Sequence, residues 1–89
     1  MDSMTCAKAM AALVPDGERL LEEHLQTYEE LLLHVYAGDV FTGHLLTCLE
    51  TGTDAAPCLR LLEGMWLEGD EAVRNVLDVT ILERLSDED

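Results

Sequence analysis

Gly69-Asp70-Glu71-Ala72-Val73-Arg74-Asn75-Val76-Leu77-Asp78-Val79-Thr80-Ile81-Leu82-Glu83-Arg84-Leu85 is the stretch that decides the fold. A glycine that stops one helix precedes an aspartate whose side chain suits the unpaired N–H groups of the next. Behind it Val73, Val76, Leu77, Thr80, Ile81 and Leu85 recur in steps of three and four, which on an α-helix is one face. Just upstream, Leu59, Leu62, Met65 and Trp66 carry the same spacing after a cap at Thr53 or Asp54, with Pro57 in the first turn. Gly69-Asp70 leaves no chain to spare between them, so helices over about 54–68 and 71–85 fold back as an antiparallel hairpin.

Working outward, a first helix is expected from about Thr5 to Leu13, capped by Ser3 or Thr5. It ends where Pro15 forces Val14 out of helical geometry. Pro15 suits the first position of a second helix, with Asp16 and Glu18 near its positive end. Leu20, Leu21, His24, Leu25 and Tyr28 share one side of that helix. Thr27-Tyr28-Glu29-Glu30 has the capping-box form, so either a helix restarts there or these residues sit within a longer one. Gly38-Asp39 reads as a further stop and cap, after which Val40, Phe41, Leu45, Leu46 and Leu49 give an apolar face that ends at Gly52. The expected architecture is all-α: a compact bundle of four to five short helices ending in the antiparallel hairpin. Residues 1–86 form one domain, and Asp87-Glu88-Asp89 forms a frayed acidic tail.

Eighty-nine residues allow one core. Hydrophobic residues are 48% of the chain, too many for a disordered acidic segment. No apolar run approaches the roughly 18 to 20 residues of a membrane span, and Met1-Asp2-Ser3-Met4 lacks the basic start of a signal peptide. Cys6, Cys48 and Cys58 have no framework of close spacings and read as reduced, buried thiols. The expected compartment is the cytoplasm.

Nineteen Asp and Glu stand against five Lys and Arg, a formal net charge of −14. The acids are interleaved with leucines at helical spacing rather than pooled in a tail. Fourteen exceeds the magnitude of about 2 to 8 that keeps a small domain soluble, so the acidic surface is a candidate for contact with a basic protein. Its members are Glu18, Glu22, Glu23, Glu29, Glu30, Asp39, Glu63, Glu68, Asp70 and Glu71, with Tyr36 or Trp66 as the apolar centre. Filling the core is the alternative role for Trp66. Arg74 is expected to pair with Asp70 or Asp78, its neighbours one turn away. Direct binding of nucleic acid is disfavoured, because phosphate neutralisation needs clustered Lys and Arg and the five here are scattered.

Catalysis, metal and cofactor are not expected. His24, His34 and His44 recur every ten residues, but that spacing is about 80° off register on a helix. His44 and Cys48 are one turn apart and Cys58 lies on the next helix; whether the three meet is open, and a closed zinc site wants four ligands from paired close spacings. The neighbours Glu22-Glu23, Glu29-Glu30 and Asp70-Glu71 point about 100° apart, and solvated carboxylates titrate near 4, wrong for a general acid at neutral pH. No phosphate loop or Gly-rich cofactor fingerprint is present.

Tyr28-Glu29-Glu30-Leu31-Leu32-Leu33-His34, then Ala37-Gly38-Asp39-Val40, then Gly69 through Leu85 resemble a family of small, acidic, all-helical bacterial proteins of uncharacterised function. That family runs Tyr-x-Glu-Leu-Leu-x-His, Ala-Asp-Val, Gly-Asp-Glu-x-Val-Arg-Asn, Phe-Leu-Glu-Asn-Leu. Here Gly38 intervenes between Ala37 and Asp39, Ile81 stands where Phe is usual, and Arg84 replaces Asn. The resemblance implies a single-domain binding partner without catalytic residues, and some members have been proposed as immunity proteins against toxins. The expectation is therefore a non-catalytic inhibitor or immunity-type protein that covers a basic surface of a toxin or a nucleic-acid-handling enzyme. The alternatives are a DNA mimic that blocks nucleic-acid-binding proteins generally, or a helical homodimer or adaptor whose acidity serves only solubility.

Overall fold

Helix boundaries in this chain fall where capping groups and backbone sterics put them, and several differ from the sequence expectation. The computed structural model describes residues 1–86; the acidic tail Asp87-Glu88-Asp89 lies outside the described residues. Helix α1 is Ser3–Leu13, α2 is Gly17–Tyr28, α3 spans 33–51, α4 is Ala56–Glu68 and α5 spans 71–86. Among the described residues there is no strand. The expected bundle of short helices and its closing hairpin are both present.

Helix α1 starts earlier than expected because Asp2, not Ser3 or Thr5, caps it. Asp2 accepts the Thr5 N–H at 2.8 Å, and that bond holds the Asp2 carboxyl below its ordinary range. Val14 is extended, at φ −96° and ψ 135°, as a residue before proline has to be. Pro15 belongs to the turn and does not open α2. Asp16 sits in the left-handed region at φ 58°, so the helix begins only at Gly17. Gly17 is buried against α1: a side chain there would be driven into the Ala11 carbonyl oxygen. Absence of a Cβ is therefore what lets the first two helices touch backbone to backbone.

The capping box at Thr27 is not formed. Glu29 is left-handed at φ 59° and terminates α2, and His24 secures the connector that follows. Its Nε2 accepts the Leu32 N–H at 3.0 Å. The ring lies 4.8 Å from Tyr28 and 5.8 Å from Tyr36 between centroids.

Gly38-Asp39 does not stop a helix either. Through Ala37–Phe41 the helix widens so that the Thr42 N–H reaches the Ala37 carbonyl five residues back, and Thr42 Oγ1 donates to the same carbonyl at 2.9 Å. A second widened segment, Val76–Leu82, lies in α5, and the two segments pack on each other. Gly38 is buried at that contact. A Cβ there would stand 3.0 Å from Arg84 Nη1 and 3.3 Å from Thr80 Cγ2, and Arg84 donates to the Gly38 carbonyl at 2.8 Å. This glycine admits a close approach rather than ending an element.

Other expected punctuation holds in part. Gly52 ends α3 at φ 74°, and Asp70 caps α5 by accepting the Val73 N–H at 2.9 Å. Neither Thr53 nor Asp54 is the cap of α4: Ala55 stands there, and Asp54 accepts the Ala56 N–H at 3.0 Å from the turn before it. Cys6 and Met10 of α1, Tyr36, Phe41 and Leu45 of α3, Met65 of α4, and Val73, Val76 and Ile81 of α5 form the core. Each such large side chain contributes about 1.5–3 kcal/mol by leaving water. Leu49 and Leu59, expected on apolar faces, are instead 52% and 48% exposed. All three cysteines are free and buried. Burial, with Asp70 adding to it, pushes the Cys6 thiol from an ordinary 9.0 up to about 11; burial and then Cys48 raise the Cys58 thiol. Among the described residues no helix is long and apolar enough to cross a membrane.

Two outcomes follow from this packing. Gly17→Ala forces α1 and α2 apart and should lower stability in urea by about 1–3 kcal/mol; unchanged stability would mean that the close approach carries no cost. In the unfolded chain the Cys6 thiol ionises near 9.0 and in the folded chain near 11. Its contribution is therefore whole below pH 9 and is lost as pH climbs to 11. The urea midpoint should fall through that window, and Cys6→Ala should make the fall shallower.

Candidate functional site

The ten candidate carboxylates are all exposed, but they are not one sheet of charge. Glu18, Glu22 and Glu23 stand on α2, and Glu29 and Glu30 on the connector beyond it. Glu63 and Glu68 stand on α4, with Asp70 and Glu71 at the turn into α5. Helices α2 and α4 each pack on α1 and not substantially on each other, so these are two acidic regions. Some of the charge is met locally. Arg19 approaches Asp16 at 3.6 Å and Glu23 at 2.7 Å, and Arg84 lies 4.0 Å from Asp39, all mostly exposed and therefore of small energetic consequence.

The two aromatic candidates part company. Tyr36 is a core residue, 1% exposed, whose hydroxyl donates to the Gly17 carbonyl at 2.9 Å. It braces α3 against α2 and has no surface to offer, which removes it from the expected contact. Trp66 is 60% exposed and its neighbour Leu67 is 62% exposed, so Trp66 does not fill the core. Arg74 pairs with neither Asp70 nor Asp78. Instead its Nε donates to the Trp66 carbonyl at 3.0 Å and its guanidinium sits 6.0 Å from the indole centroid. The cause is position: the α4–α5 turn brings the exposed end of α4 within reach of Arg74, and a carbonyl at a helix end accepts readily. Trp66 is thereby held in the open on the helix that also carries Glu63 and Glu68.

A second feature was not expected. A cleft of about 390 Å³ opens where the α2–α3 connector and the start of α3 face α5; Leu31, Leu32, Val35, Ala72 and Val76 line it, with His34 and Asn75 at its wall. It adjoins a second, more open depression of about 620 Å³ that shares Ala72 and Asn75 and is lined by Asp70 and Glu71. His34 bridges the two walls: its Nδ1 is 2.6 Å from Thr80 Oγ1 and its Nε2 is 3.5 Å from the Asn75 amide nitrogen. The sequence held one hint. Leu31-Leu32-Leu33 are consecutive and cannot all face one core, and only Leu33 is buried. A smaller cleft of about 360 Å³ lies between α1 and α2, with Ala11, Leu21 and Leu25 inside and Lys8, Glu18 and Glu22 at the rim.

The histidines serve separate local roles. His44 Nε2 is 3.5 Å from Cys48 Sγ, His24 holds the connector and His34 joins α3 to α5. Among the described residues no three His, Cys, Asp or Glu side chains converge as metal ligands. The arrangement supports non-covalent contact: apolar surface rimmed by carboxylates, on helices whose positions the core fixes.

No curated protein and no solved structure matches the chain significantly. Residues 7–89 match the family described as a domain of unknown function, DUF7674. That span takes in α1 from residue 7 and the whole of α2 to α5, and a family without an assigned function is what the sequence resemblance implied. The chain belongs to the DUF7674 family.

Proposed function

We propose that this chain is a non-catalytic protein-binding module of the inhibitor or immunity type, which covers a basic surface of a toxin or a nucleic-acid-handling enzyme in the cytoplasm. The observation that carries the reading is the exposed Trp66 on a helix that also carries the exposed Glu63 and Glu68, in a chain of net charge −14. Interface anchors are enriched in tryptophan, and truncating one costs 2 kcal/mol or more. Carboxylates on the same helix supply approach rate and selectivity, whereas desolvated apolar contact supplies residence time. Three reduced, buried thiols suit a reducing compartment.

The test is to co-express the tagged chain with the products of neighbouring genes and measure the affinity of the complex that forms. Trp66→Ala should raise Kd by about thirtyfold, the equivalent of roughly 2 kcal/mol. Replacing Glu22, Glu23, Glu29 and Glu30 by Gln should slow association about tenfold at low salt and flatten its salt dependence, with helicity unchanged. If neither the rate nor the salt slope moves, the acidity serves solubility and the adaptor or homodimer reading takes its place. Displacement of DNA from several unrelated basic proteins would favour the DNA mimic instead.

A further inference from the structure

We propose that the cleft between the start of α3 and α5 is a docking groove for a cationic amphipathic helix of a partner protein. One aliphatic side chain of that helix would seat among Leu31, Leu32 and Val35, over Ala72, and a lysine or arginine one turn away would meet Asp70 and Glu71. This deepens the partner-binding reading and rests on it, but at a place distinct from Trp66.

The argument starts from continuity. The apolar cleft and the acidic depression share Ala72 and Asn75, so a single ligand can occupy both. Ala72 lines both, and Glu71, its neighbour on α5 about 100° further round the axis, flanks the groove with its carboxylate. Positions i and i+4 of an incoming helix are about 6 Å apart at 1.5 Å per residue. A long basic side chain one turn from the aliphatic one therefore reaches the flanking carboxylates from the groove.

The walls are fixed before any ligand arrives. The His34–Thr80 contact of 2.6 Å joins α3 to α5, and Arg84 donates to the Gly38 carbonyl at 2.8 Å along the same interface. A preformed groove loses little entropy on binding. At its middle, Ala72 is exposed and small, which leaves the passage open.

Charge decides the occupant. Asp70 spends one carboxylate oxygen on the Val73 N–H, while its other oxygen and the Glu71 carboxylate remain available to a cation. A second copy of this chain is a poor candidate: it brings a net charge of −14, and three of its five basic residues are engaged, Arg19 and Arg84 with carboxylates and Arg74 with Trp66. A basic partner segment meets the same groove with attraction instead.

The experiment titrates the isotope-labelled full chain with a capped twelve-residue helical peptide of alanine and glutamine that carries one leucine and, four residues on, one arginine. Amide shifts should centre on Val35, Ala72 and Val76. Glu71→Gln should weaken binding two- to fivefold. Ala72→Trp, at an exposed site that leaves the core intact, should weaken it at least tenfold, as should leucine-to-serine in the peptide. The proposal is overturned if the peptide does not bind, if Ala72→Trp leaves affinity unchanged, or if the shifts centre on Lys8, Leu21 and Leu25 in the α1–α2 cleft. It is equally overturned if the groove amides shift when protein concentration alone is raised, because the occupant is then a second copy. The peptide stands in for no captured partner, so failure here leaves the Trp66 and Glu22, Glu23, Glu29, Glu30 measurements intact, and the reverse also holds.

Discussion

Close contact between the widened segments of α3 and α5 sets the position of everything on that side of the molecule. Gly38 has no side chain at the point where Arg84 and Thr80 arrive, so the Arg84 guanidinium reaches the Gly38 carbonyl directly. That approach brings Thr80 within 2.6 Å of His34, one turn earlier on α3. The same alignment sets Val35 opposite Val76 across the cleft. Widened helical turns are costly in regular hydrogen bonding and are frequent where a helix is shaped for a purpose. Here two of them face each other and the groove lies beside them.

An opposing constraint comes from charge. Fourteen excess negative charges on 89 residues repel one another and weaken the compact state. Local arginine pairs at exposed positions relieve little of this. Stability therefore rests on the aliphatic core, which runs through α1, α3, α4 and α5 and draws the helices together from Cys6 to Ile81. A surface that repels itself in isolation is complemented when a cationic surface covers it, and the apolar areas beside the two acidic regions are where such a contact would gain its lasting energy.

Much of the helical layout was readable, and the failures share one cause. Asp70 and Gly52 act as cap and stop because their local chemistry meets no competing demand. Gly38 was misread because a glycine that permits close approach looks, in sequence, the same as a glycine that ends a helix. Thr27 has the form of a capping box, yet the turn at Glu29 was fixed by His24 holding the Leu32 N–H eight residues away. Trp66 was open between core and surface until the α4–α5 turn put Arg74 against it. Tyr36 was offered as surface, although its hydroxyl finds its acceptor on Gly17, nineteen residues back.

Periodicity, capping residues and charge count act over one or two turns of chain, so the sequence alone determined that this is a small, strongly acidic helical bundle closed by a helical hairpin. Which apolar residues remain outside, which glycines are contact points, and which carboxylates lie beside apolar surface depend on segments forty or more residues apart. His34 with Thr80 and Gly38 with Arg84 are such pairs. Only the tertiary structure decided them, because a helix face has no inside or outside until another helix covers it.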